Sequence, residues 1–428
     1  MELTRLLRDQ KRELEEGLKG KRMVEREAEN YFKDILKSKL IKVVTGIRRC
    51  GKSVLIYKLL HDKNFAYMNF DDERLVDFDT NQILSSFYEI YGKSFNVIFL
   101  DEVQNLEKWE LFANRLHRAG FNLLITGSNA KLLSKELATH LTGRHITIEL
   151  LPFSFREYLD AIEFQEDIKT TKGISLLKRE LKNYLDLGGF PEIIVEKENP
   201  SIYIRELYSK IVERDIVSRY NISYKKTFRE IAMSSISNPS RSISYNKIKK
   251  QFGLGSDHTV KNYISYLEEA YLIFLLNRFS YKPAEVEKSE KKVYVIDSGI
   301  INNASLKFSK DYGHIYENAV AIELLRKKAF NPALEIYYWK NQQQEEVDFV
   351  VKQGIKIKEL IQVCYNTSDT KVKEREMRAL LKASKELKCR NLIVISEDRE
   401  GGEQVDWFGT KRKIKFLPLW KWLMNISV

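Results

Sequence analysis

A short apolar run, a glycine-containing loop and a helix follow one another between residues 40 and 60, and this order constrains the fold most. Leu40 to Thr45 is rich in β-branched residues and predicts a buried strand. The loop reads G-I-R-R-C-G-K-S from Gly46 to Ser53, and helical spacing resumes from Ser53 to Leu60. A strand and a helix joined in this way are typical of α/β proteins whose parallel sheet is covered by helices.

The loop fits the pattern G-x-x-x-x-G-K-[ST]. Its glycines let successive backbone N–H groups turn towards phosphate oxygens, and the following helix adds the positive end of its dipole. Lys52 would reach the β- and γ-phosphates of ATP, and the Ser53 hydroxyl would ligate Mg²⁺. The predicted nucleotide-binding residues are Gly46, Ile47, Arg48, Arg49, Cys50, Gly51, Lys52, Ser53 and Val54.

An acidic pair closes a second apolar run, which spans residues 96–100. Asp101 and Glu102 stand at the end of this predicted strand. Two adjacent carboxylates are costly to bury unless a cation or a shared proton compensates them. We therefore expect Asp101 to bind the metal and Glu102 to act as a base towards water beside the γ-phosphate. The alternative is a solvated strand end without chemistry.

Further strands are predicted at residues 65–70, 122–126 and 145–150, with helices between most of them, so the first 150 residues form an α/β domain. The strand at 122–126 ends in T-G-S-N. Its carboxyl end is expected between the two nucleotide-binding strands, where Ser128 or Asn129 would orient the attacking water. The alternative role for these side chains is simple capping of a helix.

Arg144 precedes the predicted fifth strand. Its planar guanidinium would suit a γ-phosphate, either within the chain or on a neighbouring subunit of a homo-oligomer. The alternative is a surface arginine that pairs with an acid.

A helix-turn-helix pattern lies in the middle of the chain. Residues 244–252 are amphipathic, residues 253–256 form a glycine-containing turn, and a second helix follows from Asp257. The residues that would contact DNA phosphates are Lys247, Lys249, Lys250, His258, Lys261 and Asn262. The alternative is a rigid lid or a protein-docking module.

Together these motifs resemble the prokaryotic AAA+-like ATPases that carry a C-terminal domain of unknown function, DUF4143. The resemblance rests on G-I-R-R-C-G-K-S, V-I-F-L-D-E-V-Q, L-L-I-T-G-S-N-A, the stretch L-T-G-R-H-I-T-I-E-L-L-P-F-S-F-R-E-Y-L, G-G-F-P, V-Y-V-I-D-S-G-I and E-V-D-F-V-V. It implies an N-terminal helical segment (1–38), an AAA+-like P-loop core (39–150), a helical lid (151–222), a winged helix-turn-helix (223–285) and a nuclease-like α/β domain (286–428).

The C-terminal domain invites comparison with metal-dependent nucleases, which use a helix acid, a strand Asp and a Glu-x-Lys strand. Glu317 and Asp348 would fill the first two places. Gln362 and Cys364 stand where the carboxylate and the lysine are expected, and neither residue replaces them chemically. We therefore expect a retained fold used for binding or docking rather than for cleavage.

Composition excludes other classes. The three cysteines are too few and too widely spaced for a disulfide framework or a zinc module, and no apolar run has the ~18–20 residues of a membrane span. A cytoplasmic protein is predicted. The net charge of +12 is consistent with binding of nucleic acid or with only a lysine-rich surface.

We expect Mg²⁺-dependent ATP hydrolysis that drives a conformational change on DNA or an unknown protein partner. The alternative is a nucleotide-dependent switch or DNA-binding scaffold with little turnover.

Overall fold

The computed structural model describes residues 2–75, 78–130, 141, 143–306, 311–366, 370–407 and 410–426. The chain divides into two compact units. The first comprises residues 1–152 together with 269–271, and the second comprises residues 153–268 and 272–428.

The described strands of the first unit form a parallel sheet in the order β2-β3-β4-β1-β5. The strands are β1 (Ile41–Thr45), β2 (Phe65–Asn69), β3 (Val97–Asp101), β4 (Asn122–Gly127) and β5 (His145–Glu149). Its described α-helices include α1 (Glu2–Leu18), α2 (Ala28–Ile35), α3 (Lys52–Leu60), α4 (Thr80–Tyr91) and α5 (Trp109–Arg118). The α/β fold with a parallel sheet, predicted from the sequence, is confirmed.

The central strands of this sheet are buried, and their apolar side chains pack against helices α1, α4 and α5. All five residues of β1 and all five of β3 are buried. Leu7 of α1 belongs to the same core as Val43 and Ile98. Since the strands are parallel, their carboxyl ends lie along one edge of the sheet, and β4 lies between β1 and β3. The loops that follow β1, β3 and β4 are thereby brought together.

The second unit begins with helices and a small sheet. The helices are α6 (Phe155–Ala161), α7 (Thr171–Leu187), α8 (Pro191–Val195), α9 (Pro200–Lys210), a π-helix (Ile211–Ser218), α10 (Lys225–Ser237), α11 (Tyr245–Gln251), α12 (Asp257–Glu269) and α13 (Pro283–Lys288). The strands β6 (Ser242–Ile243), β7 (Ile273–Leu276) and β8 (Lys291–Val295) form an antiparallel sheet in the order β6-β8-β7.

A mixed sheet completes the second unit, and its described strands run in the order β13-β14-β12-β11-β10-β9. The strands are β9 (Leu334–Lys340), β10 (Glu346–Gln353), β11 (Lys356–Val363), β12 (Leu392–Ser396), β13 (Gly401–Trp407) and β14 (Thr410–Pro418). The helices are α14 (Ser298–Asn303), α15 (Tyr312–Phe330), α16 (Thr370–Glu386) and α17 (Leu419–Leu423).

The G-G-F-P turn is held by the buried carboxylate of Asp297. Its Oδ2 accepts a hydrogen bond from the Gly189 N–H at 2.7 Å, and its Oδ1 accepts one from the Gly299 N–H at 2.8 Å. Gly188 has φ of +80°, and a Cβ there would lie 1.9 Å from Asp297 Oδ1. Burial raises the pKa of Asp297 to about 6. Both the backbone conformation and the space therefore require glycine at position 188.

Among the described residues, the helices are all too short or too polar to cross a membrane.

Candidate functional site: the carboxyl edge of the parallel sheet

The loop between β1 and α3 needs unusual backbone angles. Gly46, Arg49 and Gly51 have φ of 146°, 66° and 95°. A Cβ at Gly46 would lie 2.0 Å from the Leu150 carbonyl oxygen, so only glycine fits there. Because α3 begins at Lys52, its first N–H groups face the loop. The arrangement forms an anion cradle at a helix N-terminus.

The Lys52 ammonium lies inside this loop and is only 3% exposed. Nζ donates hydrogen bonds of 3.1 Å to the carbonyl oxygens of Gly46 and Ile47. It is also 3.8 Å from Oε1 of Glu102. A buried cation thus stands between the loop and the acidic pair, at a place where a phosphate group would neutralise it.

The Asp101 carboxylate accepts hydrogen bonds from side chains on three other elements. Ser53 Oγ donates a hydrogen bond of 3.0 Å to Asp101 Oδ1, and the Thr126 hydroxyl donates to the same oxygen. The Tyr67 hydroxyl donates to Oδ2 at 3.2 Å. Burial, followed by the neighbouring Glu102 charge, raises the pKa of Asp101 to about 6. Burial and the Asp101 charge also raise the pKa of Tyr67, so its hydroxyl stays a donor.

The backbone at Glu102 leaves the extended conformation of β3 and has φ of 51° and ψ of 42°. Ser128 Oγ donates a hydrogen bond of 2.7 Å to Glu102 Oε2, and the Gln104 amide donates to the same oxygen. Burial opposes ionisation of Glu102. The Lys52 charge and the bonds from Gln104 and Ser128 outweigh it and hold the pKa below its usual range. The acidic pair therefore splits into an ionised Glu102 and a more readily protonated Asp101.

Three further predicted site residues, Arg48, Asn129 and Arg144, lie in different surroundings. Arg48 lies 3.5 Å from the Asp71 carboxylate, and Asn129 is buried after the end of β4. Arg144 does not join the site within its own chain. It is exposed at the start of β5, where its carbonyl oxygen accepts a hydrogen bond from the N–H of Ile41. Ile41 begins β1 and the loop follows the end of β1, so the sheet separates Arg144 from the loop.

The donor set fits Mg²⁺. This cation is commonly bound by one or two carboxylates together with phosphate oxygens and water. Burial and the neighbouring Glu102 charge raise the pKa of the Asp101 carboxyl group, so a cation bound there would favour its ionised form, and the Ser53 hydroxyl is 3.0 Å from it. Ser53 and Asp101 are the residues that would hold the ion.

Sequence reasoning missed four side chains that build this site: Tyr67, Gln104 and Thr126, which bond the acidic pair, and Arg26, which bonds the loop. Gln104 and Thr126 lie within three residues of predicted site residues. Their positions near the ends of β3 and β4 could therefore have predicted a place in the site. Tyr67 and Arg26 act from other elements and carry no local pattern.

The C-terminal sheet carries a second polar cluster beside a cavity of about 760 Å³. Nζ of the buried Lys292, on β8, is 2.9 Å from Glu317, 3.0 Å from Asp348 and 2.6 Å from Glu346. Cys364 cannot provide a cation for this cluster, and Lys292 on β8 provides one instead. Within the described ranges, no group of three or more His, Cys, Asp or Glu residues is arranged to hold a metal ion.

Burial and the neighbouring Asp348 charge raise the pKa of Glu317 to about 8, although Lys292 opposes this shift. Gln362, which takes the place of an expected carboxylate, donates hydrogen bonds to Asp348 at 2.8 Å and to Glu376 of α16 at 2.6 Å. The cluster is therefore internally hydrogen-bonded and partly neutralised.

The strand order, the phosphate loop and the acidic pair define a P-loop protein of the ATPase class. Comparison with known sequences agrees. Residues 38–159 match a family described as AAA domain, residues 178–311 match the domain of unknown function DUF8612, and residues 312–421 match the domain of unknown function DUF4143.

Two relatives match over most of their length. The chain is 39% identical over 404 residues to the uncharacterized protein MJ1544 of Methanocaldococcus jannaschii, covering 90% of this chain and 88% of the relative. It is 30% identical over 329 residues to an uncharacterized protein of Haemophilus influenzae, covering 72% and 80%. The chain belongs to the family of AAA-type P-loop proteins with a C-terminal DUF4143 domain.

Similar solved structures include the Walker-type ATPase PABY2304 of Pyrococcus abyssi, with 13% identity, 65% coverage of this chain, 95% coverage of that chain and a TM-score of 0.41. Another is the replication initiator DnaA bound to AMPPCP and single-stranded DNA, with 19% identity, coverages of 58% and 89%, and a TM-score of 0.27.

Proposed function

We propose that this protein hydrolyses ATP with Mg²⁺ and uses the reaction to change its conformation on DNA or on a partner protein. The observation that carries the proposal is the convergence of Ser53, Asp101 and Glu102 beside Lys52. A phosphate cradle, a metal ligand and an ionised carboxylate lie together at one edge of the sheet. This is the set that phosphoryl transfer to water requires.

Each residue has a distinct role. Backbone N–H groups of the loop and Lys52 bind the phosphates and neutralise their charge. Ser53 and Asp101 hold Mg²⁺, which when bound neutralises charge that develops on the phosphate oxygens. Glu102 orients a water molecule and accepts its proton, and Ser128 and Gln104 fix the carboxylate in place.

Two substitutions test these roles. Lys52→Ala should weaken ATP binding at least tenfold, because the loop loses its buried cation. Glu102→Gln should keep ATP binding and lose at least about a hundredfold in turnover, because the base is removed while the shape is kept. Glu107→Gln, an exposed acid five residues along, is the control. Normal turnover by the Glu102→Gln protein would refute the assignment.

The alternative function is a nucleotide-dependent switch or DNA-binding scaffold with little turnover. Basal ATPase rates with and without DNA separate the two, since an enzyme that acts on DNA should be stimulated by it. The Glu102→Gln protein, used as bait in its native cell, would capture the partners of the ATP-bound state.

DNA binding is proposed through helices α11 and α12 with the β6-β8-β7 sheet, which have the element order of a winged helix. Lys250, His258 and Lys261 are exposed on these helices. Lys249 lies 2.8 Å from Asp257, and Lys247 lies 3.8 Å from Glu290, so these two lysines are partly neutralised. Affinity for a duplex should fall steeply with salt if several phosphates are contacted, and a flat response would exclude this surface.

We propose that the C-terminal domain binds or docks rather than cleaves. The support is Lys292, whose ammonium fills the space among Glu317, Glu346 and Asp348 that a catalytic metal would need. Mg²⁺-dependent nicking of plasmid DNA by the protein, lost in Asp348→Ala, would overturn this proposal.

A further inference from the structure

Arg26 is a buried arginine in the segment between α1 and α2, outside every motif of the nucleotide site. Its side chain is only 5% exposed. Nη1 donates a hydrogen bond of 2.9 Å to the carbonyl oxygen of Cys50, and Nη2 donates one of 2.6 Å to that of Leu151. One planar guanidinium thus joins the phosphate loop to the segment that follows β5.

The bond to Cys50 fixes a peptide group of the loop. The Cys50 carbonyl and the Gly51 N–H belong to one trans peptide plane and point in opposite directions. Since Arg26 holds the carbonyl on its own side, the Gly51 N–H is turned to the other side. In a phosphate loop of this pattern, N–H groups at such positions must face the phosphates for the cradle to form.

The second bond makes this support rigid. Leu151 follows Leu150, whose carbonyl oxygen accepts from the Cys50 thiol at 3.2 Å and whose N–H donates to the Thr45 carbonyl at 2.7 Å. The carbonyls that Arg26 binds are therefore tied to each other through Leu150 as well. An arginine suits this place because its fork of N–H donors has a fixed geometry.

The arginine is itself held by its neighbours. Its backbone N–H donates a hydrogen bond of 2.9 Å to Oε1 of Glu29, and the same oxygen accepts one of 2.7 Å from Nζ of Lys58 on α3. The start of α2 and the body of α3 thereby fix the position of Arg26. Since α3 begins at Lys52, both ends of this chain of contacts lead to the phosphate loop.

We propose that Arg26 is a positioning residue for nucleotide binding, because it aims the Gly51 N–H into the phosphate cradle. The inference rests on the proposed ATPase function. Arg26 donates its hydrogen bonds to the backbone carbonyl oxygens of Cys50 and Leu151, so its loss should weaken binding of the phosphates and leave the hydrolytic groups Asp101 and Glu102 in place.

The test compares Arg26→Gln, Arg26→Lys and the control Arg12→Gln in the full chain. Arg12 is an exposed arginine paired with Glu16 on α1. Binding of ADP, measured by titration calorimetry at a temperature where every variant is folded, should weaken about tenfold in Arg26→Gln. Arg26→Lys keeps the charge but lacks the fork, and should show an intermediate loss. Arg12→Gln should bind as the unaltered protein does.

Steady-state ATPase measurements supply the readout that separates positioning from mere stability. KM should rise with the ADP dissociation constant, while kcat at saturating ATP should stay within about twofold. Unchanged ADP affinity and KM in Arg26→Gln, alongside a lowered melting temperature, would overturn the inference and show a structural role only. If Arg26→Gln does not fold, Arg26→Lys decides by the same criteria.

The proposed function is tested separately in the same series. Loss of ADP binding in Lys52→Ala with unchanged binding in Arg26→Gln would remove the inference and leave the nucleotide site standing. Absence of ADP binding by the unaltered protein would overturn both.

Discussion

Ser128 Oγ donates a hydrogen bond of 2.7 Å to Oε2 of Glu102, so the first residue after β4 holds the carboxylate of the first residue after β3. The two residues are 26 apart in sequence and meet because β4 lies next to β3 in the sheet. The Gln104 amide bonds the same carboxylate oxygen and lies 3.2 Å from Ser128 Oγ. The orientation of Glu102 therefore depends on these two neutral side chains.

Ser128→Ala should lower kcat for ATP about five- to tenfold and leave ATP affinity nearly unchanged, because the carboxylate loses one of its hydrogen bonds while the loop is intact. Steady-state kinetics and nucleotide titration check the two quantities. Ser94→Ala, at an exposed serine before β3, is the control. An unaltered kcat would show that Gln104 alone orients Glu102.

The Mg²⁺-dependent part of ADP affinity should decline as pH falls below about 6, since the pKa of Asp101 is raised to about 6. Above that pH the carboxylate is free to bind the cation, and below it Mg²⁺ must displace a proton, with a loss of up to tenfold per pH unit. The ratio of ADP dissociation constants without and with Mg²⁺, measured from pH 5 to pH 8, reports this effect.

Asp101→Asn is the matched control for the pH series. It lacks the titrating group, so its ratio should be small, and any pH dependence that remains in it reports protonation of the nucleotide itself. A ratio that stays constant down to pH 5 in the unaltered protein would contradict the assignment of Asp101 as the metal ligand.

Lys292→Met should lower the free energy of unfolding of the second unit by about 3–5 kcal/mol, because buried carboxylates lose their shared cation. Lys282→Met, which removes an exposed lysine 3.0 Å from Glu285, should change it by less than about 0.5 kcal/mol. Urea unfolding followed by tryptophan fluorescence measures both. Equal effects of the two substitutions would show that the cluster is not stabilised by Lys292.

Gly188→Ala and Gly253→Ala separate backbone conformation from steric overlap. Both glycines have positive φ, 80° and 65°, but a Cβ at Gly253 meets no atom within 4 Å, whereas one at Gly188 overlaps Asp297. Gly253→Ala should therefore cost about 1–2 kcal/mol from the backbone alone. Gly188→Ala should cost at least about 3 kcal/mol, since Asp297 must also move. Equal losses in thermal unfolding would contradict the steric account.

The sequence was most informative where function depends on residues close together in the chain. The phosphate loop follows β1 directly, and Asp101 and Glu102 end an apolar strand, so local pattern predicted both the elements and the edge of the sheet on which they lie. The parallel sheet followed from near-continuous apolar strands that alternate with helices.

Contacts between residues that are far apart in the sequence could not be predicted from local patterns. Arg26 binds a carbonyl 24 residues later, and Lys292 binds a carboxylate 56 residues later at Asp348. A buried arginine or lysine has no preferred spacing from its partner, because the fold and not the local helix or strand period brings them together. Arg144 precedes β5, and in a parallel sheet the start of a strand lies at the edge opposite to the loops that follow β1, β3 and β4.

The close approach of Gly46 to Leu150 has a mechanical consequence. The Leu150 carbonyl oxygen fills the space where any side chain at position 46 would begin, and the Leu150 N–H is bonded to Thr45. The loop that receives the phosphates cannot shift without displacing the first residues that leave the sheet after β5. Any movement of the loop would therefore reach Leu151, whose carbonyl oxygen is bonded to Arg26.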